Sequence, residues 1–207
     1  MAFPENRLST IPVTGAILPP RNRRRSDELV AWELGGVALQ DPSQGLQVQV
    51  WEASSDGENI DVYPDGAPGS PLAERIISGE SQISEVSLAF NQNMDTHLAF
   101  VAGGQAKLRW FDSQAGGFVV DDLEPDVTSP VVVLDDKRDS QTRAGNNDVL
   151  LFYVRAGNLY LRRQRDRFGD EFLLREGAGT RIERLGMNDQ LRIQIRMEGG
   201  GNFRRLR

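Results

Sequence analysis

The feature that most constrains this chain is a β-strand unit of roughly 48 residues, present three times and half-present a fourth. Its strands are read from alternation. Apolar residues at Leu46, Val48 and Val50 alternate with polar ones, as do Leu191, Ile193, Ile195 and Met197. That period of two lets a strand bury one face. No stretch shows the i, i+3, i+4, i+7 spacing of an amphipathic helix, so an all-β fold is expected. Two central stretches align residue by residue. One is VAGGQAKLR from Val101 with GFVVD from Gly117; the other is VRAGNLYLR from Val154 with EFLLR from Glu171. Val101 matches Val154, Gly104 matches Gly157, Leu108 matches Leu161 and Phe118 matches Phe172. Each copy reads as strand, glycine-containing hairpin, strand, polar turn, strand. A further apolar run precedes each, Glu85–Phe90 and Val131–Leu134, which makes four strands per unit.

The same order fits Val37–Leu39, Leu46–Trp51, Asn59–Tyr63 and Leu72–Ile77 near the N-terminus. Ile182–Leu185 and Leu191–Met197 supply a first and second strand at the other end. First strands thus begin roughly 46 to 51 residues apart, overlapping the ~40–50 residues of a four-stranded propeller blade. The expected fold is a propeller-like array of four-stranded antiparallel blades, about three and a half repeats, with a β-sandwich as the alternative. The strands after Ile182 need a partner, because an open edge leaves backbone groups unpaired. The alternating segment Glu28–Leu34 could supply it and close a four-bladed ring, or a neighbouring subunit could. Residues 28–197 are read as the body, 1–27 as an extended Pro- and Arg-rich arm, and 198–207 as a flexible basic tail.

Composition narrows the chemistry. There is no cysteine, so disulfides and thiolate metal sites are excluded. Pro4, Pro12, Pro19 and Pro20 interrupt the N-terminal stretch, which has no apolar core of signal-peptide length. No window approaches the ~18 apolar residues of a membrane span. The expectation is a chain without a membrane span, made in the cytoplasm. A net charge of −6 argues against nucleic acid as the main partner, but the charge is segregated. Arg21, Arg23, Arg24 and Arg25 crowd the N-terminal arm, Arg204 and Arg205 lie near the other end, and acidic residues dominate Asp121–Asp136. Such segregation can bind polyanions, or it can be complementary docking between copies of one protein, which needs no further partner.

No catalytic motif is legible, so a non-enzyme without cofactor or metal is expected. The single histidine, His97, sits on a strand pattern and reads as a partly buried, hydrogen-bonded strand residue. The spacing of a calcium loop is absent around Asp121, Asp122, Asp126, Asp135 and Asp136, which read as turn residues. Ser54-Ser55-Asp56-Gly57 resembles the turn of sialidase-type propellers without its aromatic partner, and reads more simply as a hairpin turn. The run Leu161–Phe168 is the most distinctive local feature. On a strand Arg163 and Arg165 would share one side, either solvated beside Asp166 and Asp170 or docked on an acidic partner. Arg21, Arg23, Arg24, Arg25, Arg163, Arg165, Arg204 and Arg205 are therefore the expected interface residues. In the alternative of a lectin-like carbohydrate-binding propeller, Trp51, Trp110, Tyr153 and Tyr160 would contact the glycan.

Several segments together resemble virion structural proteins of tailed bacteriophages. They are VALQDPSQGLQVQVW from Val37, EVSLAFNQN from Glu85, LDDKR from Leu134, QRDRF from Gln164 and LGMN from Leu185. The likeness is spread over residues 30–197 instead of one short motif. It implies a tail or baseplate component that assembles in several copies in the host cytoplasm. Its implied partners are other virion proteins, copies of itself and, in host attachment, a surface glycan or receptor.

Overall fold

A computed structural model of the chain describes residues 31–41, 45–64, 73–91, 93, 95–136, 147–187, 193–198 and 203–204. These residues form four antiparallel sheets, each a meander paired in chain order. The first sheet contains β1 (Ala31–Asp41), β2 (Gly45–Ser55), β3 (Ile60–Pro64) and β4 (Glu74–Ile77). The second contains β5 (Glu85–Phe90), β6 (Thr96–Ala102), β7 (Gln105–Asp112) and β8 (Gly117–Asp122). The third contains β9 (Val127–Asp136), β10 (Asn147–Arg155), β11 (Asn158–Arg163) and β12 (Phe172–Arg175). The fourth contains β13 (Ile182–Met187), β14 (Ile193–Met197) and the short β15 (Phe203–Arg204). The four-strand unit read from alternation is thus an observed structural unit.

The hairpin glycines do what their alignment implies. Gly103 and Gly104 have φ of 57° and 81°, and Ala156 and Gly157 have 50° and 75°. Both pairs close two-residue hairpins with positive φ at each central position, the geometry of a type I′ turn. In the first unit Asp56 makes the turn instead, its carboxylate accepting from the amides of Glu58 and Asn59 at 2.9 and 2.7 Å.

Alternation becomes packing because the inner sheets are covered on both faces. Val86, Leu88, Phe90, Leu98 and Phe100 join Ala53, Ile60, Val62 and Ile77 in a core between the first and second sheets. Leu108, Trp110, Val132, Val149, Leu151 and Tyr153 fill the next core, between the second and third. Val131, Val133, Phe152, Ile182, Ile193 and Ile195 fill the last, between the third and fourth. Each fully buried Val, Leu, Ile or Phe contributes about 1.5–3 kcal/mol by its removal from water. The first strands run beside one another, β1 against β5, β5 against β9 and β9 against β13. The Ser87 hydroxyl on β5 accepts from the Val132 amide of β9 at 3.0 Å, tying two of them together. The strands β4, β8 and β12 are the outer edges of their sheets.

Four expectations change. β1 begins at Ala31, not Val37, and Ala31–Leu34 pair with Glu52–Ser55 of β2. That part of the Glu28–Leu34 segment lengthens the first sheet and does not reach the last one; residues 28–30 lie outside the described residues. The fourth sheet has a third strand, β15, within the stretch expected to be a tail. Phe118 and Phe172 are not equivalent in space: Phe118 stands opposite Phe111, but Phe172 stands opposite Leu161. They therefore project from opposite faces of their units, because the connection before β12 is longer than the one before β8. Finally, β11 ends at Arg163 and Gln164–Asp166 form a 3₁₀ turn, so Arg165 lies off the strand.

Candidate functional site

The arginine run folds into a latch on the seam between the second and third sheets. After the 3₁₀ turn, Arg167 and Phe168 take φ of 53° and 55°, a left-handed pair that costs about 1 kcal/mol or more per residue without glycine. The reversal drives Phe168 into the second core, where it is buried. Its ring meets Trp110 edge-on at 5.2 Å and lies 6.2 Å from the His97 ring. Arg167 then reaches the buried carboxylate of Asp112 on β7 and donates to Gln114 Oε1 at 2.7 Å. Burial works to raise the Asp112 carboxyl, but the Arg167 guanidinium and the Gln114 and Ala115 amides outweigh it and hold it below its ordinary value. Arg165 is satisfied within the third sheet, its Nε 2.5 Å from the buried Asp148 carboxylate and its amide donating to the other oxygen at 2.9 Å. Arg163 pairs with Asp166 at 2.6 Å and stacks 4.3 Å above the Phe172 ring.

Beside the latch lies a polar cluster on the same seam. Arg162 donates to Tyr153 Oη at 3.0 Å, to the Phe168 carbonyl at 3.2 Å and to Glu124, in the connection from β8 to β9. Arg155 donates to Glu171 at 2.5 Å and lies 3.7 Å from Glu124. The Tyr153 hydroxyl donates to Glu171, and its ring stacks on Tyr160 at 5.7 Å. Burial, and then the bond to Glu171, push the Tyr153 phenol above its ordinary pKa, so it remains a donor and not a phenolate nucleophile. Burial tends to raise the Glu124 carboxyl, but backbone hydrogen bonding and the Arg162 charge bring it below its usual range. A carboxylate so held is ionised and suits a cross-link, whereas a general acid requires a raised pKa.

His97 is fully buried. Its Nδ1 lies 3.0 Å from the Asp95 carbonyl, and Nε2 has no hydrogen-bond partner among the described residues. Among the described residues no group of three or more His, Cys, Asp or Glu is placed to hold a metal ion. No described helix is long and apolar enough to cross a membrane.

Of the expected interface residues, Arg163 and Arg165 lie together on this seam, each with a partner in the same chain. Arg21, Arg23, Arg24, Arg25 and Arg205 lie outside the described residues, and Arg204 lies on β15. Of the four aromatics, Trp110 and Tyr153 are core residues; Trp110 Nε1 donates to Asp121 at 2.7 Å. Trp51 packs half-buried on the first core beside Phe90, and Tyr160 is half-buried under Arg155. Sequence reasoning missed Glu124, Glu171, Asp112 and Asp148. The run of arginines signalled that carboxylates were needed, but nothing in it said whether this chain would supply them.

Among the described residues the exposed large apolar side chains lie on outer strands: Phe118 and Val120 on β8, 47% and 48% exposed, and Leu173 on β12, 49% exposed. Comparison with family models, curated proteins and solved structures finds no match to this chain.

Proposed function

We propose that this chain is a structural subunit of a tailed-bacteriophage virion, a tail or baseplate component that acts by subunit packing and not by catalysis. The observation that carries this reading is the exposure of Phe118, Val120 and Leu173 on outer strands of a body whose second and third sheets are cross-linked by ion pairs. A stack braced in this way offers fixed edges to neighbours, and large apolar side chains left on an edge suit burial by another subunit. The sequence likeness to phage virion proteins points the same way. In this proposal the sheets are blades of a propeller-like array. Closure falls to residues before Ala31 or to a neighbouring subunit, since Ala31–Leu34 are paired with β2. A glycan-binding propeller would have to work with Trp51 and Tyr160 alone of the four aromatics, because Trp110 and Tyr153 are buried.

The test uses particles. A chain lacking residues 1–27 is expected to keep its β-sheet circular dichroism and melting transition but to be lost from purified virions. Incorporation at the normal level would remove the role assigned to the arm, and absence of the full chain from virions would overturn the virion reading itself.

A further inference from the structure

We propose that β8 is a homodimerisation strand, which pairs antiparallel with β8 of a second copy about a two-fold axis at Val120. The inference deepens the function proposed above, of which it needs only the packing between copies. It starts from how sheets protect their edges. Outer strands β4 and β12 each meet their neighbours through a register shift, and β4 opens on exposed Glu74 and Arg75. Bulges and charges of this kind discourage edge pairing. β8 has neither device near its apolar half. It pairs with β7 in unbroken register, contains no proline or lysine, and exposes Phe118 and Val120.

Backbone geometry selects the register. The Leu123 amide donates to the Ala106 carbonyl, continuing the β7–β8 ladder. Alternate residues of an antiparallel strand bond the same neighbour, so Gly117, Val119 and Asp121 face β7. The amides and carbonyls of Phe118, Val120 and Asp122 therefore point away from β7, to the side on which no described strand pairs with β8. A two-fold axis at Val120 sets Val120 opposite its own copy and Phe118 opposite Asp122 of the second copy. Every outward-facing residue of both strands is then paired, and shifting the axis by one residue loses part of that pairing.

Charge selects the same register. Arg109 lies 3.7 Å above the Phe118 ring and donates to Thr96 Oγ1 at 2.8 Å; among the described residues the Glu74 charge acts on it, but no carboxylate forms an ion pair with it. Lys107 on the same strand is occupied by Glu80 and, at 3.7 Å, by Asp122. Asp122 of the second copy, set opposite Phe118, arrives beside the ring that the Arg109 guanidinium covers, and symmetry repeats the contact.

Mass measurement on the full chain across a concentration series tests this. The expected result is a shift from 23.0 kDa to twice that mass. Val120→Lys should hold the chain at the single mass with its melting transition unchanged, since the side chain is half-exposed. Asp122→Arg should also weaken the dimer, and adding Arg109→Asp should restore it by reversing the pair. A wild-type chain at the single mass throughout overturns the proposal, as does a dimer indifferent to Val120→Lys or assemblies that grow beyond two copies. A single mass with β8 amides protected from hydrogen exchange would assign the edge to another segment of the same chain and equally overturn it. A dimer in solution with no chain in virions would leave β8 standing and remove the virion role; the converse would do the opposite.

Discussion

At the scale of single residues, two positions carry measurable consequences. His97 is held neutral by burial, which pushes its pKa down from 6.5 to about 4 against the weaker pull of the Asp95 carbonyl. Above pH 6.5 the folded and unfolded chains both hold it neutral and the effect is nil. Between 6.5 and about 4 only the unfolded chain takes up the proton, so stability falls with pH by up to roughly 3 kcal/mol. Urea midpoints measured over that window should drop for the wild type and stay flatter for His97→Leu; equal slopes would remove the effect from His97. The second position is Ala156, which sits at φ 50° in a type I′ hairpin where its counterpart is Gly103. Ala156→Gly is expected to stabilise by about 0.5–1 kcal/mol, seen as a higher denaturant midpoint at unchanged slope. The need for glycine at these turns was legible, because positive φ is a local demand that the alignment of Gly104 with Gly157 displays. The depth of His97 was not. Burial there depends on Phe168, a residue far along the chain whose path turns inward only through two left-handed residues.

At the scale of elements, the Leu161–Phe168 run shows how far a local pattern can mislead. Alternating arginines imitate a strand, yet the chain leaves the sheet at Arg163 because a 3₁₀ turn lets Phe168 enter the core. Phe168→Ala should cost about 3–5 kcal/mol, the usual loss for a deleted core aromatic, whereas Arg165→Ala should cost about 1 kcal/mol, since its own side chain is 54% exposed and the buried Asp148 carboxylate keeps the Arg165 amide. Arg162→Ala should lie between, at about 2 kcal/mol, because it strands Tyr153, Glu124 and the Phe168 carbonyl at once. Thermal melts of the three variants check the order; an Arg165 variant as damaged as the Phe168 variant would mean that the latch is electrostatic and not apolar. The equivalence assumed for Phe118 and Phe172 failed for a related reason. Hydrophobicity marks that a strand residue packs, but the length of the preceding loop decides its register and hence its face.

At the scale of the whole molecule, the stack makes stability a matter of neighbours. The second and third sheets are covered on both faces by buried side chains, while among the described residues no buried cluster joins the fourth sheet to the first. Native-state hydrogen exchange should therefore be slowest in β5–β7 and β9–β11 and faster in β3, β4 and β14. Uniform protection across all four sheets would argue for a ring that shares its stability all round. By itself the sequence determined the strand period, the four-strand unit, its recurrence and the glycine-containing hairpins. Each of these follows from forces acting over a few residues: alternation across a pleat, and the steric freedom of glycine. Only the tertiary structure decided which face each strand presents, which carboxylates neutralise the arginines, and that among the described residues β8 is an outer strand in unbroken register with Phe118 and Val120 exposed. Those depend on loop lengths and on residues distant in the chain, whose meeting no local pattern encodes.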